Sequence, residues 1–102
     1  MPQLSVDIPH ELTPGEAARR LEEKFAAARA EYQDRVSDLE QQWRDNIFSF
    51  AFRVLGMAIS GTIAVEPQFV RLAANLPLAA MLFRGTIEEH IRREMGDLLT
   101  SP

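Results

Sequence analysis

The sequence predicts an α+β fold with the element order β-α-β-β-β-β-α, a mainly antiparallel sheet with two helices packed on one face. Three observations indicate this fold. Large apolar residues alternate with small or polar ones from residue 47 to residue 76, a period of two that is typical of half-buried strands. A Thr-Pro-Gly-Glu capping box before this region starts one helix. After it, apolar residues three and four apart predict a second helix, and the resulting shape resembles a reduced helix-grip domain.

Composition limits the classes of function that the protein can have. A chain of 102 residues is enough for one domain, here residues 1–102. The net charge of −4, with arginines spread among carboxylates, argues against a nucleic-acid binder. The absence of cysteine excludes disulfides, thiol catalysis and cysteine zinc sites, and is compatible with a cytoplasmic location. The first residues lack the basic start and long apolar core of a signal peptide.

The first strand and the first helix have clear sequence signals. The apolar residues of the strand, which Pro9 stops, are Leu4, Val6 and Ile8. The capping box at residues 13–16 places proline at the first helical position. The inner stripe of this helix consists of Leu21, Phe25 and Ala28. We expect the helix to end near Arg35.

Residues 36–43 fit two structures. The apolar spacing from Leu21 to Trp43 also suits one long helix, so a helical extension is the alternative to a strand. We favour the strand because an Asp-Asn pair, a good tight turn, follows it. This turn would place Trp43 opposite Phe48 and Leu39 opposite Phe52.

The stretch IFSFAFRVLGMAISGTIAV, residues 47–65, is long enough to span a membrane and carries one charge. Its alternation changes phase at Leu55-Gly56, as expected for a hairpin and not for a helix. Arg53 in the middle of a membrane would cost roughly 2.5–3.5 kcal/mol. We therefore predict a hairpin and no membrane span. The predicted facing pairs are Phe52 with Ile59, Phe50 with Gly61, and Phe48 with Ile63, so that Phe50 covers the bare backbone of Gly61.

The last strand and the second helix complete the pattern. A turn at residues 66–68 leads into the last strand. The apolar face of that strand consists of Val70, Leu72, Ala74 and Leu76. The second helix is predicted from Leu78 to Leu99, and a capping box at residues 86–89 indicates a kink or restart after Gly85. Its predicted core stripe is Phe83, Ile87, Ile91, Met95 and Leu98.

Several motifs occur together in a known order. They are Trp43, an aromatic strand at residues 48–52, Gly56, GTIAV at 61–65, a V.L…LP strand at 70–77 and an IE..I…L helix at 87–99. With the HELTPGEAARR opening, this pattern resembles the polyhydroxyalkanoic acid system proteins over nearly the whole chain. It departs at Asp45-Asn46, where relatives usually carry Gly-Asp.

The resemblance implies a bacterial protein linked to storage-polyester granules. We interpret it as a non-enzymatic accessory that binds the granule surface or granule proteins, in the cytoplasm and at granules. The resemblance supplies no catalytic residues, cofactor or metal ligands. The residues agree with this interpretation, because His90 with Glu94 lacks a second ligand pair and His10 is expected to be a loop residue. We also find no phosphate-binding glycine loop or nucleophile elbow.

Two sets of residues are candidate contact sites. The outward face of the sheet carries small residues where longer polar ones are common, which indicates a homodimer or other partner face: Ala51, Ala58, Ser60, Thr62 and Ala73, with Ala64 beside them. The segment LPLAAMLF has more apolar residues than one inner stripe needs. We predict that Leu78, Met81 and Leu82 contact a granule or partner, with Met81 pointing away from the core-facing Phe83.

Two other functions fit the same fold. The first is a small hydrophobic-ligand binding module with a pocket between helices and sheet, which a cavity bounded by Phe25, Phe50 and Gly61 would favour. The second is a structural oligomer without a ligand.

Overall fold

The computed structural model describes residues 3–101 and confirms the α+β fold and the order of its elements. Five antiparallel strands form one sheet in the order β1-β5-β4-β3-β2. The strands are β1 (Gln3–Pro9), β2 (Val36–Arg44), β3 (Ile47–Val54), β4 (Met57–Val65) and β5 (Phe69–Asn75). The helices are α1 (Pro14–Tyr32), a 3₁₀ helix (Leu78–Phe83) and α2 (Arg84–Thr100). Helix α2 lies over β1, and α1 packs on β4 beside α2.

The core lies between the helices and the apolar face of the sheet. Strand β1 pairs with β5, so the first and last strands of the chain are neighbours at one edge. Alternate residues of β1 and β5 face the helices and are buried, as the alternation predicted, and so are Ile63 and Val65 at the end of β4. The fully buried large side chains are Leu4, Val6, Leu21, Ile63, Val65, Val70 and Leu99.

The β3–β4 hairpin has the predicted register. The ladder pairs Phe50 with Gly61, and its flanking pairs are also as predicted. Leu55 and Gly56 form the turn with φ angles of 52° and 76°. Positive φ at both central residues is the type I′ geometry that matches the twist of a two-residue hairpin. The apolar stretch at residues 47–65 is therefore two strands, and no helix within residues 3–101 has the length and hydropathy to cross a membrane.

Residues 36–44 form a strand, so the helical extension is wrong. Helix α1 ends at Tyr32, three residues before the predicted end at Arg35. Trp43 pairs with Phe48 as expected. A β-bulge between Ser37 and Glu40 interrupts the ladder, so the pairing predicted for Leu39 does not form.

The C-terminal segment differs from prediction in its first six residues. A 3₁₀ helix covers Leu78–Phe83, and the α-helix starts at Arg84 without a side-chain cap. The predicted restart near Gly85 is confirmed, whereas the capping box at residues 86–89 is wrong. Phe83 was predicted in the core but is exposed. The prediction placed Phe83 one α-helical turn before Ile87 and so on the same face. It is wrong because the residues before Arg84 form a 3₁₀ helix, which has fewer residues per turn than an α-helix.

His10 is buried, contrary to the expectation of an ordinary loop residue. Its Nε2 lies 2.8 Å from the carbonyl oxygen of Glu66, and its Nδ1 accepts a hydrogen bond from the backbone N–H of Leu12 at 3.0 Å. The neutral ring with its proton on Nε2 satisfies both contacts. This side chain ties the link between β1 and α1 to the β4–β5 turn.

Candidate apolar binding sites

The 3₁₀ helix carries three large apolar side chains in contact with solvent. The exposed fractions of Leu78, Leu82 and Phe83 are 77%, 84% and 64%. We call these three residues the exposed apolar segment. They follow β5, whose last residue Asn75 pairs with Ser60 near the start of β4. The segment therefore begins at the end of the sheet that carries the β3–β4 turn.

Met81 does not share this exposure. It is half-buried and packs, with Ala80, against the hydrophobic core. The expectation that Met81 points away from the core is wrong, because it took the α-helical phase of Phe83 as its reference. Leu78 and Leu82 are at the surface, so their contact with a granule or partner stays a prediction.

A second apolar site is a groove between the C-terminal half of α1 and strands β2 and β3. Its volume is about 320 Å³, and almost all of its wall is carbon. The lining residues are Phe25, Ala28, Arg29, Tyr32, Val36, Leu39, Gln41, Phe50 and Phe52. Because α2 lies over β1, at the opposite edge of the same apolar face, α1 is the helix that faces the part of the sheet formed by β2 and β3.

Stacked aromatic rings line the sheet under α1. The ring centroids of Phe25 and Phe48 are 5.0 Å apart, and those of Phe25 and Phe50 are 6.5 Å apart. The rings of Phe50 and Phe52 stack with centroids 6.3 Å apart, and the ring of Trp43 meets that of Phe48 in a tilted arrangement at 5.1 Å. Alternation along β3 produces this row by placing its three phenylalanines on one face. Phe48 is buried, whereas Phe50 and Phe52 are half-buried and open into the groove.

A polar pair of side chains lies at the rim of the groove. The guanidinium Nη1 of Arg29 donates a hydrogen bond to Oε1 of Gln41 at 3.2 Å, joining α1 to β2. Both residues also line a smaller cavity beside Trp43, so the pair separates the two spaces. Arg29 forms no salt bridge with any carboxylate in residues 3–101.

The family model of the polyhydroxyalkanoic acid system proteins matches residues 4–99. The chain belongs to this family. No curated protein and no solved structure gave a significant match. The family match confirms the resemblance seen in the sequence, and its range includes all five strands except Gln3 and all of α2 except Thr100.

Several charged residues of this family member form ion pairs at the surface. No group of three His, Cys, Asp or Glu residues within the described part of the chain is close enough to hold a metal ion. Glu16 accepts hydrogen bonds from Arg19 and Arg20, which lower the pKa of its carboxyl to about 2. Its position in the first turn of α1 is that of a helix-stabilising carboxylate. His90 is exposed on α2 beside Glu94 at 4.0 Å.

Within residues 3–101, no helix packs on the outer face of the sheet. Ala58 and Thr62 are exposed there, and Ala51, Ser60 and Ala73 are half-buried. The homodimer predicted for this face stays a prediction. The groove residues of α1 and β2 were not among the candidate sites, because Leu39 and Ala28 fit a core stripe equally well. Phe25 and Phe50 line the groove as the ligand-binding alternative required, while Gly61 lies under the ring of Phe50 and does not.

Proposed function

We propose that this protein is a non-enzymatic accessory of the polyhydroxyalkanoate storage system, which adsorbs to granules or granule proteins in the cytoplasm. Membership of the family supplies the link to the polymer. The observation that supports adsorption is the exposed apolar segment. Three large apolar side chains within six residues are unusual on a surface unless something covers them.

The energetics suit reversible adsorption. A net charge of −4 provides no general attraction to a neutral polyester, so apolar area must drive the contact. Burying a leucine or phenylalanine side chain fully contributes roughly 1.5–3 kcal/mol. Part of this is lost to the entropy of association and to ordering of side chains. A single segment therefore gives weak binding, and a homodimer through the outer face would strengthen it by presenting two segments.

The test is co-sedimentation with purified granules. We expect the wild type to sediment with them, and the double variant Leu78→Gln, Leu82→Gln to stay largely in the supernatant. Both positions are exposed, so thermal stability should change little. Ile47→Gln is the control, since Ile47 is also exposed but lies at the other end of the β3–β4 hairpin. Because Ile47 pairs with Ala64 on the outer face, sedimentation should first show that this variant keeps the oligomeric state of the wild type.

Two results would contradict the proposal in different ways. If the wild type does not sediment with granules, the granule function is wrong. If the double variant sediments as well as the wild type, the contact lies elsewhere on the protein. Met81→Glu is unsuitable as a probe, because a charge at this half-buried position would disturb the core.

The groove favours a second candidate function, a small hydrophobic-ligand binding module. Its opening to solvent between α1 and the sheet leaves half-buried aromatic rings that a core would normally cover.

A further inference from the structure

We propose that the groove between α1 and strands β2 and β3 binds the aliphatic chain of a linear alkanoate, whose free carboxylate is held by Arg29. The proposal deepens the ligand-binding candidate and is independent of granule adsorption. It rests on three observations: the wall of the groove, its single cation and its size.

The wall selects an apolar chain. Phe50 and Phe52 form the floor on β3, and Ala28 and Tyr32 form the side on α1. Leu39 closes the groove from β2. Such a surface offers almost no hydrogen-bonding partner inside, so a buried polar ligand group would be left unsatisfied. An alkyl chain has no hydrogen bonds to lose there, and its apolar surface leaves water.

The cation selects the other end of the ligand. Arg29 is the one charged residue among those found to line the groove in the described structure. Arg19 and Arg20, on the same helix, are already paired with Glu16. Arg29 instead donates to the neutral amide of Gln41, which leaves further N–H groups of the guanidinium to bind a carboxylate. An apolar groove with one cation at its rim is therefore complementary to a ligand that has an apolar chain and a single negatively charged end.

The volume of the groove limits the length of the alkyl chain that it can hold. A volume of about 320 Å³ lies at the lower end of the range of about 300–1,000 Å³ that is typical of ligand sites. The groove therefore suits a medium-length alkanoate better than a sterol, a flavin or a two-chain lipid. The same argument disfavours short acids such as butyrate, which would leave most of the wall in contact with water.

The experiment is isothermal titration of the full chain with decanoate, decanol and butyrate below their aggregation concentrations. We expect saturable binding of decanoate, weaker binding of decanol and no binding of butyrate. Arg29→Gln should lower the affinity for decanoate by at least about tenfold, the lower end of the loss expected for one hydrogen bond to a charged group. The same variant should leave the affinity for decanol unchanged.

Replacing one of two alanines of α1 with phenylalanine tests whether the ligand binds in the groove. Ala28→Phe should fill the groove and abolish binding of both decanoate and decanol, with folding checked by circular dichroism. Ala30→Phe is the control, because Ala30 lies on the same helix, is exposed and does not line the groove.

Several results would overturn the proposal. One is the absence of decanoate binding to the wild type, and another is an affinity that Arg29→Gln does not change. A third is undiminished binding by folded Ala28→Phe. A fourth is a dimer that Ala28→Phe, but not Ala30→Phe, converts to a monomer in sedimentation, since the groove would then be an interface between copies. Failure of decanoate to bind would leave the granule sedimentation result unaffected, so the two proposals fail separately.

Discussion

Replacing Gly61 with alanine should destabilise the protein by about 1–3 kcal/mol or more, the cost of overpacking a well-filled core. A Cβ atom at this position would lie 2.5 Å from the carbonyl oxygen of Ala73 and 2.7 Å from Cζ of Phe50. The ring can turn aside, but the carbonyl belongs to the neighbouring strand β5 and cannot move without disturbing the ladder. Gly61→Val should cost more than alanine, because it adds two methyl groups to the same space.

Gly96→Ala is the matched control for this prediction. Gly96 lies within α2, and an added Cβ would meet no atom within 4 Å. Alanine is favoured over glycine in a helix by about 0.8–1.0 kcal/mol, so this variant should be more stable than the wild type. Urea unfolding measures both free energies. Equal stability of Gly61→Ala and the wild type would show that β4 and β5 are further apart at Gly61 than the structure places them.

Replacing Leu21 with alanine should have the second large effect, a loss of about 2–5 kcal/mol. Leu21 is completely buried on the inner face of α1, where it belongs to the same core cluster as Ile63 and Leu99. The loss combines the transfer free energy of the removed atoms with the cost of the cavity left between helix and sheet. A chain of this size has limited total stability, so the variant should be substantially unfolded in moderate urea.

Leu82→Ala is the control for Leu21→Ala, because it makes the same substitution at an exposed position. Any difference between the two variants then reflects burial and not the type of residue removed. Leu82 is mostly exposed on the 3₁₀ helix, so Leu82→Ala should change the free energy of unfolding by no more than about 0.5 kcal/mol. Thermal and urea unfolding of the two variants check the contrast. A large loss at Leu82, or a small one at Leu21, would mean that the two positions have been assigned to the wrong environments.

The sheet could be predicted from sequence because its signals are local. A period of two and one change of phase at Leu55-Gly56 determine which residues of the β3–β4 hairpin face each other. The bulge in β2 could not be predicted, because the apolar pattern there suits a helix and a strand alike. Asp38 lies in the bulge and has a φ of 53°, a left-handed conformation that aspartate adopts more readily than most residues.

The exposed apolar segment was predicted in part. The excess of apolar residues indicated that some would face solvent, and Leu78 and Leu82 do. Met81 packs against the core and Phe83 is exposed, the reverse of the prediction. This reversal could not be predicted, because the 3₁₀ geometry depends on how the chain leaves β5 and enters α2. The groove was predicted only as an alternative function, since its opening depends on where α1 lies across the sheet.

The bulge in β2 also affects how copies of this protein behave when they are crowded together. Strands β1 and β2 are the two edges of the sheet, and an edge strand is a template on which another chain can add a strand. At β2 the bulge and the acidic residues Asp38 and Glu40 break the flat row of backbone groups. Pro9 removes an N–H group from the end of β1. Both edges therefore carry features that disfavour the addition of a strand from another molecule.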